Sequence, residues 1–209
     1  QINNATTYLG KSWTTTPTLN SDGLHIKYGE SGNLEIPDMD FTTSSLSLAF
    51  WIYIDEVQPD KSYVYFFDAM GGGFNRISYT IRPGSDNLHK ILRFDHSNFE
   101  TEVDVNTWIH AVIIYPDLNS ANIKVYINGV LEINTSSISS SILSNAIYPK
   151  LRFGYGLYWS ANCKIKSFNV WKTELNNDYI SFLYQQGRIY NLYTNELGEP
   201  INNNPNIES

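Results

Sequence analysis

Cysteine is almost missing from this chain of 209 residues: Cys163 stands alone. An intrachain disulfide is therefore excluded, and the fold must hold by its core or by a bound ion. With no histidine or second cysteine beside it in sequence, Cys163 reads as a buried free thiol rather than a nucleophile or a thiolate metal ligand. Charge is scarce too, at 17% of residues, and basic charge scarcer, with 14 Lys and Arg against 21 Asp and Glu for a net charge of −7. Counterion release needs a basic stripe, so nucleic acid is set aside as a partner. No apolar run approaches the ~20 residues that span a bilayer, which argues against insertion by a helix. Dense D-x-D-x-D-G spacing, the strong signal for calcium, is missing as well.

What the chain has in plenty is aromatic residues, with 15 Tyr, 10 Phe and 5 Trp, and 42% of its residues are hydrophobic. That balance suits sheets and argues against disorder or a helical bundle, and the length suits one large β domain. The clearest stretch is Trp108 to Asn134. Trp108 to Tyr115 is rich in aromatic and β-branched residues, Pro116 to Ser120 supplies turn chemistry, and Ile123 to Ile127 alternates apolar with polar. Asn128-Gly129 is the dipeptide that best tolerates positive φ in a two-residue turn, so Val130 to Ile133 folds straight back. Three consecutive antiparallel strands are predicted here.

Elsewhere, Leu24 to Tyr28, Asn33 to Ile36, Tyr63 to Phe67, Ile77 to Arg82, Ile91 to Phe94, Leu151 to Gly154 and Lys164 to Trp171 read as strands at sandwich-like spacing. Ser45 to Ile54 has apolar residues on both parities, which predicts burial on two faces. Glu100 to Asp104 alternates but reads as turn-like. Asn176 to Asp178 offers N-cap residues, Tyr179, Ile180, Leu183 and Tyr184 form a helical stripe, and Gly187 stands at C′. The predicted fold is all-β: a two-sheet antiparallel jelly-roll β-sandwich with one short C-terminal helix. Residues 1–21 read as an irregular N-terminal arm, 22–187 as the β domain and 188–209 as a C-terminal extension or linker, within a larger multidomain protein.

Four places in order carry a family resemblance: Ser45 to Ile54, the hairpin Trp108 to Val112 with Ile123 to Val130, Leu151 to Gly154, and Ile165 to Leu175 with the helix after it. Together they resemble the laminin-G-like, concanavalin-A-like (pentraxin-like) jelly rolls of the lectin/glucanase superfamily. The resemblance implies two stacked sheets, an extracellular or surface-exposed setting, glycan or protein partners, and in many members a structural calcium ion. Asp22, Asp38 and Asp40 are the candidate calcium ligands. Lys166 follows Ile165 where the family's closing strand often carries Asp, and Ser136 to Asn145 lacks the acidic residues of the pentraxin calcium loop. The E-x-D-x-x-E run of the glucanases is absent, and Glu100, Glu102 and Asp104 are the nearest approach to a carboxylate cluster.

A sugar-binding site needs aromatic platforms for apolar ring faces and planar polar groups for hydroxyls. Tyr155, Tyr158 and Trp159 supply the first in a Gly-punctuated segment, and Asp68, Asn75 and Arg76 around Gly71 to Gly73 supply the second. If Val64 and Phe66 face the core, Tyr63 and Tyr65 line the opposite surface as a second strip. His110, without a partner cluster in sequence, reads as a packed, hydrogen-bonded sheet residue. The expected function is a non-catalytic, lectin-like carbohydrate-binding module. The alternative is a structural or protein-interaction domain of a bacterial or viral surface assembly, and a glucanase-like hydrolase stands third.

Overall fold

The computed structural model describes residues 18–20, 23–28, 34–36, 45–58, 64–70, 76–86, 88–94, 99–117, 122–135, 150–154 and 160–187. Thirteen strands and one helix follow in chain order among these residues. They are β1 (Thr18–Asn20), β2 (Gly23–Ile26), β3 (Leu34–Ile36), β4 (Leu46–Ile54), β5 (Val64–Met70), β6 (Arg76–Pro83) and β7 (His89–Phe94). Then come β8 (Phe99–Asp104), β9 (Trp108–Tyr115), β10 (Ile123–Ile127), β11 (Val130–Thr135), β12 (Lys150–Phe153), β13 (Cys163–Trp171) and α1 (Asn177–Gln186). A seven-stranded sheet runs β1-β2-β13-β4-β9-β10-β11, and a six-stranded sheet runs β3-β12-β5-β6-β7-β8. All the pairings are antiparallel, and the result is the two-sheet sandwich that the sequence predicts.

Alternation on the central strands builds the core. Leu46, Leu48, Phe50, Ile52 and Ile54 of β4 face inward with Ile109, Ala111, Ile113 and Tyr115 of β9. Val64, Phe66, Tyr79, Ile81, Leu92 and Phe94 meet them from the other sheet. Phe50 lies at the junction, its ring centroid 5.8 Å from Phe66, 6.1 Å from Tyr79 and 5.8 Å from Phe168. The hydroxyls of Tyr79 and Tyr115 meet across the two sheets at 3.2 Å.

The second face of β4 is buried because α1 lies on it, as two-sided apolar character requires. Ala49, Val112, Ile114 and Tyr126 form a second cluster with Leu175, Tyr179, Ile180 and Leu183. Asn176 caps the helix by accepting from the Tyr179 N–H at 2.8 Å, and Gly187 (φ 74°) donates its N–H to Tyr184 O at 3.1 Å. Ser47 Oγ donates to Thr173 O at 2.7 Å and accepts from Leu175 N–H at 3.1 Å, tying the helix approach to the sheet. Asn128 (φ 51°) and Gly129 (φ 81°) make the predicted turn with positive φ at both central residues.

Two readings need correction. Phe99–Asp104 is strand β8, paired along its length with β7, where a turn-like segment was expected. Glu and Asp are poor strand formers, yet an edge position lets Glu102 and Asp104 stay exposed while Val103 enters the core, so pairing overrides propensity. Within the segment read as an irregular arm, Thr18–Asn20 pairs with β2 as an edge strand.

Candidate functional site

Of the residues singled out from sequence, Tyr155, Tyr158, Trp159, Asn75, Tyr63 and the carboxylates Asp22, Asp38 and Asp40 lie outside the described residues. Tyr65 and Asp68 sit on β5 and Arg76 on β6, with their backbones described. Tyr65 stands opposite Thr80, Asp68 between Ser78 and Arg152, and Arg76 opposite Met70. Val64 and Phe66 are 2% and 0% exposed, which settles the register of β5 there. Gly154 N–H donates to Phe66 O at 3.1 Å, so the chain leaves β12 beside Phe66. Among the described residues no group of three His, Cys, Asp or Glu side chains is placed to hold a metal ion.

The carboxylates of β8 are each engaged. Glu100 pairs with Arg82 and lies 3.9 Å from Arg93. Glu102 accepts from the Ser85 N–H at 2.6 Å, and hydrogen bonding from the Ser85 side chain and then from this N–H holds its pKa below the ordinary carboxylate value. His89 lies 2.7 Å from Asp86 through Nδ1 and 3.2 Å from Asp104 through Nε2. Both ring nitrogens thus face acceptors, and the Asp86 hydrogen bond raises the imidazole pKa.

The same end of the sandwich carries a hydrogen-bonded rim. Asn162 Oδ1 accepts from Tyr28 N–H at 2.8 Å, its Nδ2 donates to Val57 O at 2.8 Å, and its N–H donates to Gln58 Oε1 at 2.9 Å. Asn106 (φ 57°) donates its N–H to Ile54 O at 2.9 Å, and the neighbouring Val105 N–H donates to Leu88 O at 2.9 Å. Val57 and Leu88 stand out from this rim at 75% and 64% exposure.

On the outer face of the seven-stranded sheet the residues fall into cross-strand rows. One is Lys166–Trp51–His110. His110 is buried, its ring 5.0 Å from Trp51 and 6.0 Å from Tyr184 of α1. It is packed as expected, but its Nδ1 has no hydrogen-bond partner among the described residues. Burial lowers its pKa to about 4, so the ring is neutral at physiological pH. The pocket beside it, bounded by Ser167, Asn169, Leu183 and Gln186, is about 10 Å³, room for about one water and too small for a sugar ring.

The next row is His25–Lys164–Tyr53–Trp108. Tyr53 and Trp108 are half-buried, and their rings meet edge-to-face with centroids 5.7 Å apart at 60°. Lys164 Nζ lies 4.8 Å from the centre of the Tyr53 ring and Lys166 Nζ 5.8 Å from that of Trp108. Four side chains from β4, β9 and β13 thus form one aromatic and cationic surface beyond the end of the helix. It lies on strands, whereas the aromatic and polar candidates in the sequence stand largely in loops. The available signals were the shared parity of Trp51 with Tyr53 and of Lys164 with Lys166, together with the lysine in place of the family's aspartate; only the register joins them.

The chain's own relatives bear on this fold. A family model described as the concanavalin A-like lectin/glucanases superfamily matches residues 28–181. Among solved structures, the receptor-binding domain of botulinum neurotoxin mosaic serotype C/D is similar at TM-score 0.60 and 16% identity, over 90% of this chain and 47% of that one. The binding domain of botulinum neurotoxin DC in complex with SialylT aligns at TM-score 0.52 and 18% identity over 80% and 42% of the two chains. The same domain in complex with rat synaptotagmin II gives 0.51 and 17% over 80% and 43%. The chain therefore spans less than half the length of these domains. A comparison with curated proteins found no match. With three quarters of its length inside the family model and both sheets in place, the chain belongs to the concanavalin A-like lectin/glucanase superfamily, in its laminin-G-like branch.

Proposed function

We propose that this domain is a non-catalytic carbohydrate-binding module of a larger extracellular or surface protein. The observation that carries the reading is the Tyr53–Trp108 pair, two partly exposed rings held on central strands of a sheet, where a pyranose can stack its apolar face. A solved relative that carries a SialylT ligand supports a glycan as the partner class. No helix among the described residues is long and apolar enough to cross a membrane.

Against catalysis stands the state of the β8 carboxylates. A glycosidase needs an acid with a raised pKa and a second carboxylate facing it across ~5–9.5 Å. Glu102 has its pKa lowered, and Glu100 is neutralised by Arg82. The test is a glycan array with calcium or with a chelator, using wild type, Tyr53→Ala and Trp159→Ala. Retention that Tyr53→Ala removes supports the platform on the seven-stranded sheet; retention that only Trp159→Ala removes moves the site to the 155–159 segment. Silence over a broad array removes the carbohydrate reading.

The second reading is a protein-interaction domain, favoured by the exposed Val57 and Leu88 at the Asn162 rim. Scattered apolar residues are ordinary on protein surfaces, so this patch carries less weight than the aromatic pair. Partner capture lost on Val57→Ser together with Leu88→Ser, with the array silent, is the outcome that selects it.

A further inference from the structure

We infer that Lys164 and Lys166 make the Tyr53–Trp108 surface a site for acidic saccharides, sugars that carry a carboxylate or sulfate beside an apolar ring face. The inference rests on the carbohydrate reading above and narrows it.

The chain is acidic, with a net charge of −7, and several of its described cations are ion-paired. Lys124 pairs with Glu174, Arg82 with Glu100, and His89 with Asp86 and Asp104. Lys164 and Lys166 are placed over aromatic rings instead. Each ammonium rests over an aromatic ring, and neither has a carboxylate in ion-pairing reach among the described residues. A cation over a ring face is placed without being neutralised, because the ring offers a quadrupole and no counter-charge. Among the described residues, two such ammonium groups on one face leave a local positive field there.

The placement is built into rigid elements. Tyr53, Trp108, Lys164 and Lys166 all lie on three adjacent strands inside the sheet, and none sits on a loop. Lys166 is further fixed by Gly23. A Cβ at that glycine would lie 2.7 Å from Lys166 Cγ, so the missing side chain is the slot through which the lysine stem lies along the sheet. The strand then bulges between Lys166 and Asn169, with Ser167 at φ 49°, so Lys166 is the last residue of β13 in register with Trp51 before the irregularity.

The chemistry selects the ligand class. Lysines alone suit any anion, but aromatic rings beside them, Tyr53 and Trp108 set edge-to-face, add an apolar contact for a sugar that carries its acid at the ring edge. Nucleic acid does not fit, since two lysines and His25 make a spot and no stripe. An acidic peptide or an anionic lipid surface would engage the same ammonium groups, and both are therefore arms of the test.

The experiment measures binding by calorimetry for an α-1,4-oligogalacturonide and 3′-sialyllactose, against the neutral maltohexaose and lactose, with wild type and the double variant K164Q/K166Q. Phosphatidylserine vesicles and polyglutamate are parallel arms, and thermal melts verify that the variant is folded. The expected result is binding of at least one acidic saccharide about tenfold tighter than its neutral counterpart. That advantage should vanish in the double variant and shrink between about 50 and 300 mM salt. Equal affinity for acidic and neutral sugars, unchanged in the double variant, overturns this inference and leaves the carbohydrate reading in place. Silence toward every saccharide, or lysine-dependent binding confined to vesicles or polyglutamate, overturns both.

Discussion

A single histidine makes the folded state sensitive to mild acid. His110 is buried against Trp51 and Tyr184, and burial lowers its pKa from the ordinary 6.5 to about 4. The unfolded chain therefore binds a proton that the folded chain refuses. Stability contributed by the neutral ring is complete above pH 6.5 and is lost progressively as pH falls towards 4. The loss reaches about 3 kcal/mol at 1.36 kcal/mol per pKa unit. Urea unfolding at pH 7 and pH 4.5 should show it, and His110→Phe should flatten that part of the profile. A variant with the same slope as wild type would remove His110 from the account. Gly23 gives a second prediction at this scale. Its φ is 108°, and an added Cβ would lie 2.4 Å from Ile165 O, so Gly23→Ala should lower stability by roughly 1–3 kcal/mol for the strained backbone alone. Cys163 is buried, and burial raises its thiol pKa, so the native protein should resist thiol reagents that label it at once after unfolding.

The helix and the hairpin were legible as elements because their signals are local. Asn176, the apolar stripe from Tyr179 to Leu183 and Gly187 stand at the spacings that a capped helix demands, and Asn128-Gly129 admits few other turns. Removing the cap should show its weight: Asn176→Ala is expected to lower stability by about 1 kcal/mol, read as a shift in denaturant midpoint at unchanged slope. Strand β8 was not legible, since E-T-E-V-D becomes a strand only through its pairing with β7. Nor was the length of β5, which runs on through Asp68 to Met70 because β6 and β12 pair with it on either side. The Tyr53–Trp108–Lys164–Lys166 surface escaped for the same reason. Its members are 55 or more residues apart except within each strand, and a sequence shows which face each residue shares only within its own strand.

For the molecule as a whole, the composition pointed to the sandwich and the order of four weak motifs pointed to the family. What neither could supply was the map of the outer faces: which half of the seven-stranded sheet α1 covers and which half carries the partly exposed Tyr53 and Trp108. The core itself is sensitive at its centre. Phe50 touches Phe66, Tyr79 and Phe168, so Phe50→Ala should cost about 3–5 kcal/mol and lower the midpoint of one cooperative transition.

The position of β13 in the seven-stranded sheet has a consequence for a chain emerging from the ribosome. β2 and β4 are close in sequence, yet they do not pair with each other; β13, which begins at Cys163, is inserted between them. Until about residue 171 has been synthesised, β4 keeps one long apolar edge without its neighbour. Such an edge is a template for pairing with another nascent chain. The strand that completes the sheet is thus also the one that closes the window for misassembly, and α1 follows it within a few residues to cover the remaining apolar face.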